Sequence, residues 1–151
     1  MLTYHNIDSS STEDWLELLN SDLVRKHLVQ HPVFTTDTVT IWLKSKIKVD
    51  QEPYCKVRAI QSDGKLIGWC GIQLESGEYE LALVLSPKFW GHGREVMKQV
   101  KLWAKELGHT QLFAHLPQTR PQSKALESLF GKPIRASNIQ GNNFNTYRIE
   151  I

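Results

Sequence analysis

The chain has 151 residues, the size of one ordinary domain, so we expect a single domain over residues 1–151. Hydrophobic residues make up 40% of it, and 18 basic against 16 acidic residues leave a net charge of +2, which excludes disorder by charge repulsion and argues against nucleic-acid binding. No apolar run approaches the roughly 20 residues that span a bilayer, and the start lacks the basic and apolar regions of a signal peptide, so we expect a cytoplasmic protein that binds no membrane.

The first 50 residues predict one strand followed by helices. Residues 2–7 alternate apolar and polar side chains, as a half-buried strand does. Capping residues at 9–14 precede an apolar helical pattern, and a second cap at 21–22 predicts that this helix restarts. A further capped pattern over 35–48 predicts another helix.

Three β-rich runs follow and predict an antiparallel meander. The runs 54–61 and 65–74 are separated by Ser62-Asp63-Gly64, which is a strong hairpin signal. The third run, 79–85, follows the turn Ser76-Gly77. It is apolar enough to lie at the centre of the sheet.

The second half of the chain alternates helices and strands. Apolar residues line one face of a long helix that Gly108 ends. Residues 110–116 then predict a strand, 121–129 a short helix and 144–151 a final strand. The order β-α-α-β-β-β-α-β-α-β predicts the α/β (α+β) class, with helices packed on a mixed sheet.

The segment 83–95 joins a buried strand, a turn that contains Gly91 and Gly93, and the start of the long helix. The first turn of a helix leaves about four N–H groups unpaired and carries partial positive charge, so it attracts phosphate. Glycine lets a backbone approach an anion closely. The turn shape alone is more typical of a tight strand-to-helix connection that binds no ligand. The chain lacks both the P-loop and the three-glycine dinucleotide patterns, which argues against a nucleotide enzyme.

With the meander before it, the sequence Leu85-Ser86-Pro87 followed by Trp90-Gly91-His92-Gly93 and a helix resembles the GNAT superfamily of acyl-CoA-dependent N-acyltransferases. The Trp-Gly-x-Gly pattern is most similar to the branch that includes ribosomal-protein alanine acetyltransferases. The similarity in element order covers nearly the whole chain, and the motifs cover 79–131. The resemblance implies a mostly antiparallel sheet with helices on both faces, and acetyl-CoA as the cofactor.

The resemblance also implies a cofactor site. The backbone of the central strand would pair with the pantetheine arm in a wedge that opens beside the strand 110–116. The amides that follow would hold the pyrophosphate, and a serine further along would match the family's Asn-x-x-Ser segment. The cofactor-binding residues implied in this way are Leu83, Leu85, Trp90, Gly91, His92, Gly93, Arg94, Glu95 and Ser123.

The phosphate motif departs from the family pattern Gln/Arg-x-x-Gly-x-Gly/Ala. If it is read from Lys88, lysine takes the first position. If it is read from Trp90, as the spacing after Ser86-Pro87 favours, Glu95 stands where a small residue is usual. A carboxylate beside a pyrophosphate is unfavourable unless its side chain points away, and Arg94 could offset it.

Two further departures affect catalysis. Arg120 stands where the family has asparagine, and Glu127 where the family often has a tyrosine that protonates the leaving thiolate. These departures motivate an alternative function, a non-catalytic acyl-CoA-binding or protein-interaction module with the same fold. The leading interpretation is an N-acetyltransferase that acts by direct attack of a primary amine in a ternary complex.

Acyl transfer to an amine needs a base, because amino groups titrate at about 8 to 10. Glu80 shares strand parity with Ala82 and Val84, so its side chain could face the cleft and act as the catalytic base through water, with Glu78 as the substitute. Both glutamates are equally typical of solvated charges at the entrance of a strand. His115 is an alternative base or substrate contact.

The remaining expectations concern partners. The two cysteines and six histidines show no metal-ligand spacing, so we expect no metal. Acceptor loops vary most in such folds, which leaves protein N-termini, polyamines, aminoglycosides and small amines open as small-molecule or protein acceptors. The resembling family binds acceptors with its early helices, so an exposed Phe34 or Trp42 would be a substrate contact. That family often dimerises, which leaves a homodimer open.

Overall fold

The computed structural model describes residues 1–27, 31–119, 124–139 and 141–151. In these ranges seven strands form one sheet. The strands are β1 (Leu2–His5), β2 (Lys56–Ser62), β3 (Lys65–Glu75), β4 (Glu78–Leu85), β5 (Gln111–Pro117), β6 (Arg135–Ile139) and β7 (Asn142–Glu150). The helices are α1 (Thr12–Leu19), α2 (Asp22–His27), α3 (Thr36–Asp50), α4 (Gly93–Glu106) and α5 (Lys124–Phe130). None of these helices combines the length and apolarity needed to cross a membrane.

The sheet has the order β1-β2-β3-β4-β5-β7-β6, and β4 with β5 is its parallel pair. The other neighbours pair antiparallel. The predicted α/β class with a mixed, mostly antiparallel sheet is therefore confirmed. The prediction lacked β6, because Arg135–Ile139 is a mostly exposed edge strand without the apolar alternation that identifies a strand from sequence.

Helix caps explain the boundaries in the first third of the chain. Ser11 accepts a hydrogen bond from the backbone N–H of Asp14 at 3.2 Å and starts α1. Thr35 and Thr38 form a reciprocal capping box that starts α3. Helix α3 runs to Asp50, beyond the predicted end at residue 48. Strand β2 begins at Lys56, two residues after its predicted start at residue 54.

Helices cover both faces of the sheet, as expected. On one face, Val96, Val100 and Ala104 of α4 are fully buried in a cluster that includes Leu81 and Leu85 of β4. Burying a valine or leucine side chain contributes about 1.5–3 kcal/mol. This face therefore holds the larger apolar core.

The opposite face holds a second cluster beneath α1, α2 and α3. Trp15, Leu19 and Val39 pack there against β2 and β3. Because side chains alternate along a strand, Ala82 and Val84 of β4 point to this second face. Glu80 has the same parity and is therefore directed toward α3.

Candidate active site

The two edges of β4 differ in how far they are paired. Toward β3, the ladder runs from Gly68 opposite Leu85 to Glu75 opposite Glu78. Toward β5, one register pair joins the strands, Glu80 opposite Phe113. Beyond that pair a cavity of about 280 Å³ lies between the strands. Backbone groups on such an edge need partners from outside the sheet.

Helix α3 covers the cavity, and β3, β4 and β5 form its sides. The polar and aromatic residues that line it are Trp42, Lys46, Trp69, Gln73, Glu75, Glu80 and His115. Its apolar lining includes Leu83, Ala114, Leu116 and Phe130. The site thus combines an apolar slot between strands with titratable groups at one end. Trp42 lines it, whereas Phe34 packs in the adjacent aromatic cluster.

Glu80 lies at the closed end of the cavity, where β4 and β5 pair. The side-chain amide of Gln73 donates a hydrogen bond to Glu80 Oε1 at 3.4 Å. Burial raises the pKa of Glu80 to about 7, while the Gln73 hydrogen bond and the Lys46 ammonium act in the opposite direction. A carboxyl group that titrates near neutrality can accept a proton from a substrate at physiological pH.

Lys46 also lines the cavity, although the sequence did not predict it as a site residue. Its Nζ donates a hydrogen bond to Gln73 Oε1 at 2.7 Å. The same ammonium lies 4.8 Å from the ring centroid of Trp69 and 5.5 Å from that of Trp42. Burial lowers the pKa of Lys46, against the carboxylates of Glu80 and Glu75. The spacing of Trp42 and Lys46 places both side chains on one face of α3, and this spacing could have indicated that Lys46 belongs to the site.

His115 lines the cavity from β5. Its Nδ1 lies 2.8 Å from Thr146 Oγ1, which in turn lies 2.7 Å from Ser137 Oγ. Burial lowers the pKa of His115, which favours the neutral ring. A neutral ring held through one nitrogen can accept or relay a proton through the other.

Glu78, the substitute base of the sequence analysis, has a different environment. Its carboxylate forms an ion pair with Arg135 of β6. The Arg135 guanidinium also lies 5.6 Å from the centroid of the Phe113 ring. Glu78 is not among the residues that line the cavity. Of the two glutamates considered as bases, Glu80 is therefore the one that faces the site.

The segment after β4 is more helical than the predicted turn. Residues 87–92 form a 3-10 helix that continues into α4 at Gly93, whose φ of −56° is an ordinary helical value. Gly93 is therefore not required there for an unusual backbone conformation. Trp90 folds back so that its Nε1 donates a hydrogen bond to the Leu85 carbonyl at 2.8 Å. That carbonyl therefore already has a partner.

The charged side chains at the start of α4 point to neighbours within the protein. Glu95 Oε2 lies 3.3 Å from His92 Nδ1, and both side chains are exposed. Arg94 donates a hydrogen bond to Ser128 Oγ of α5 at 2.6 Å. Arg94 thus bonds to α5, while Glu95 is paired with His92.

Gly91 lies where an anion could approach the first turn of α4. A Cβ placed on Gly91 would meet no protein atom within 4 Å, so internal packing does not require glycine there. The open space and the helix start fit a bound phosphate group. Ser123, the other residue expected to contact the cofactor, lies outside the described residues, as does Arg120.

The two cysteines are free and buried. Burial raises the pKa of both thiols, which disfavours the thiolate that nucleophilic chemistry needs. Across the described ranges, no group of three or more His, Cys, Asp and Glu side chains could hold a metal ion. The titratable groups of the cavity are therefore carboxyl, amine and imidazole.

Comparisons with known proteins agree with the fold. A family model described as an acetyltransferase (GNAT) domain matches residues 2–128. No curated protein matches the sequence significantly.

Many solved structures share the fold. An acetyltransferase from Agrobacterium tumefaciens is 17% identical with a TM-score of 0.77, over 99% of this chain and 91% of that one. A Salmonella typhimurium protein, assigned as an acetyltransferase and solved with its cofactor acetyl-CoA, is 12% identical with a TM-score of 0.69, over 99% and 92%. Spermidine N-acetyltransferase from Vibrio cholerae, in complex with CoA and spermine, is 14% identical with a TM-score of 0.71, over 99% and 94%.

Proposed function

The chain belongs to the GNAT acetyltransferase family, and we propose that it transfers an acetyl group from acetyl-CoA to a primary amine by direct attack in a ternary complex. The observation that carries this proposal is the cavity at the unpaired edge of β4, with Glu80 and His115 on its wall. Acetyl-CoA, the cofactor of the Salmonella relative, supplies an activated acyl carbonyl when it is bound.

The cofactor would be held by the open edge of β4 and the start of α4. The backbone of Leu83 and the apolar wall at Ala114 and Leu116 suit the pantetheine arm. The first turn of α4, with open space at Gly91, suits the pyrophosphate. In this proposal the Leu85 carbonyl becomes available only when the Trp90 indole moves away.

Glu80 would act as the catalytic base. An amine that arrives as an ammonium ion must lose a proton before its nitrogen can attack a carbonyl. A carboxyl group with a pKa of about 7 is partly ionised at neutral pH and binds the removed proton more tightly than an ordinary glutamate does. Gln73 orients the carboxylate through its amide, and His115 is available as a second proton acceptor or an acceptor contact.

The acceptor would be a small-molecule or protein amine. The Vibrio cholerae relative is a spermidine N-acetyltransferase whose structure contains spermine, so this fold accommodates an amine acceptor. The carboxylates of Glu75 and Glu80 on the cavity wall suit a cationic amine. The proposal includes a single domain that acts in the cytoplasm.

Calorimetric titration with acetyl-CoA tests the cofactor site, with Gly91→Asp and Gly91→Asn as matched variants. Both side chains enter open space, so both variants should keep the wild-type melting temperature. The added carboxylate should weaken binding by about tenfold or more relative to Asn, because it repels the phosphates. Absence of both heat and a thermal shift with the wild-type protein at millimolar acetyl-CoA would refute the proposal.

A thiol-release assay across a panel of amines separates the enzyme from the non-catalytic alternative. The proposal expects release of CoA thiol with at least one primary amine, and a roughly 10²-fold slower release in Glu80→Gln. A protein that binds acetyl-CoA but releases thiol with none of the protein N-termini, polyamines, aminoglycosides and small amines would be the binding module instead.

A further inference from the structure

Lys46 occupies a gap in the face of the sheet that α3 covers. On this face the pairs Trp69 opposite Val84 and Gln73 opposite Glu80 flank the pair Gly71 opposite Ala82. Glycine and alanine leave the middle pair without large side chains. The Lys46 ammonium contacts residues on both sides of this gap, Gln73 at 2.7 Å and the Trp69 ring at 4.8 Å. The amine therefore lies at the level of Ala82, in the cavity beside β4.

The surroundings of this amine are those that the proposed acceptor needs. Two indole rings, an amide oxygen and the Glu80 carboxyl group converge on the cavity. None of the salt bridges in the described part of the chain includes Lys46. Loss of a proton from Lys46 thus breaks no direct ion pair, and its partial burial favours the neutral amine.

We propose that Lys46 is an acyl acceptor of the protein's own transferase site and becomes acetylated on Nζ when acetyl-CoA is bound. This inference rests on the proposed function. It adds an internal substrate, a lysine side chain that lines the same cavity as Glu80.

The transfer needs no reagent besides acetyl-CoA, Lys46, Glu80 and water. The Lys46 ammonium loses one proton to Glu80 through a water molecule, and the neutral Nζ forms a bond to the acetyl carbonyl carbon. The carbon–sulfur bond breaks, and the leaving thiolate takes up the second proton that the nitrogen loses. Glu80 returns its proton to water. The products are acetyl-lysine, CoA thiol and one proton.

Acetylation would change the site in two ways. It removes the positive charge between Trp42 and Trp69, and it fills the space over Ala82 with an amide and a methyl group. The added amide and methyl group obstruct the place where an external amine would bind. The acetylated protein should therefore acetylate external amines more slowly than the unmodified protein.

The test is to incubate the purified full chain with acetyl-CoA and no amine, and to follow intact mass and peptide maps. We expect one added acetyl group, on Lys46. Lys44 and Lys48 of the same helix are exposed and serve as internal controls, because uncatalysed acetylation modifies exposed lysines first. Lys46→Arg should abolish the added mass, and Glu80→Gln should slow its appearance by roughly 10²-fold without changing Lys44 and Lys48.

A spectroscopic readout checks the same event independently of the mass measurement. Lys46→Gln is uncharged and ends in an amide, as acetyl-lysine does, so its tryptophan emission should differ from that of Lys46→Arg in the same direction as acetylation shifts the emission of the wild type. Acetylation at Lys44 and Lys48 but not Lys46 would overturn the inference. So would equal labelling of Lys46 in wild type and Glu80→Gln.

Parallel binding and thiol-release measurements separate this inference from the proposed function. If the wild type binds acetyl-CoA and acetylates an external amine while Lys46 stays unmodified, the inference is wrong and the proposed function stands. If acetyl-CoA does not bind at all, both are wrong.

Discussion

Strand β4 pairs with β3 along its whole length, whereas β5 meets it at one register pair, Glu80 opposite Phe113. At the β3 edge the contact is so close that a Cβ on Gly68 would lie 2.2 Å from the Val84 carbonyl oxygen. At the β5 edge a cavity of about 280 Å³ separates the strands. The same strand therefore supplies stability on one edge and, in the proposed function, a ligand site on the other, because only unpaired backbone groups can bind a partner.

The two edges also differ in side-chain chemistry. Near the closed edge, Cys70 and Ile72 of β3 are fully buried in the apolar core under α4. The open edge is lined by Glu80 and His115, whose pKa values burial shifts in opposite directions. Burial shifts the pKa of a titratable group strongly only where water is partly excluded. Acids and bases with shifted pKa values are therefore expected where two strands are incompletely packed against each other.

The largest predicted effect comes from forcing the closed edge apart. Gly68→Ala should reduce the free energy of unfolding by about 3 kcal/mol, because its Cβ cannot fit against the Val84 carbonyl without a backbone shift. Urea denaturation measures this change. Gly91→Ala is the matched control and should leave stability unchanged or slightly higher. Equal stability of Gly68→Ala and wild type would mean that the β3 edge is less tightly closed than the distance implies.

The next effect concerns the base at the open edge. Glu80→Gln should lower kcat/KM for an amine acceptor by roughly 10²-fold, because the amide cannot accept the proton. Glu106→Gln changes an exposed carboxylate of α4 in the same way and should leave the rate unchanged. The wild-type rate should rise with pH through about 7, the pKa of Glu80. If His115→Asn removed this inflection and Glu80→Gln did not, His115 would be the base instead.

The same pKa predicts a pH dependence of stability. Because the pKa of Glu80 is raised on folding, the folded protein binds more protons than the unfolded chain between pH 4.5 and about 7. The contribution of this group is therefore fully present below pH 4.5 and is lost as pH rises through about 7. Thermal melts of Glu80→Gln should show a smaller fall in melting temperature across this range than wild type. Parallel curves would show that Glu80 titrates normally.

The smallest effect concerns the start of α4, where the open edge ends. Glu95→Gln removes a negative charge near the proposed pyrophosphate site, so the affinity for acetyl-CoA should rise by about two- to fivefold. Calorimetry at low and high salt measures it, and the gain should shrink at high salt because both charges are exposed. A loss of affinity would instead show that the His92 and Glu95 pair supports the cofactor.

Most of the fold could be predicted because its signals are local. The hairpin turn at Ser62-Asp63-Gly64, the alternation of β4 and the apolar face of α4 each lie within a few residues. The polar edge strand β6 has no such signal, and its pairing with β7 provides the only indication that it is a strand. A strand without an apolar face is identified only from the strand with which it pairs in the structure.

The candidate site could be predicted only in part. Strand parity predicted the face to which Glu80 points, and the anion site at the motif after Pro87 stays a prediction. The helical form of that motif and the hydrogen bond from Trp90 to Leu85 were not predicted, because they depend on how residues 87–92 pack on the end of β4.

By itself, the sequence determined the order of the elements and the apolar side of each one, since both follow from the spacing of side chains along a helix or strand. The tertiary structure alone decided that Lys46 and Gln73, 27 residues apart, would meet beside Glu80. That contact depends on where α3 crosses β3. The crossing is set by the packing of large side chains such as Trp15, Trp42 and Trp69 against one another, and such packing acts between residues distant along the chain.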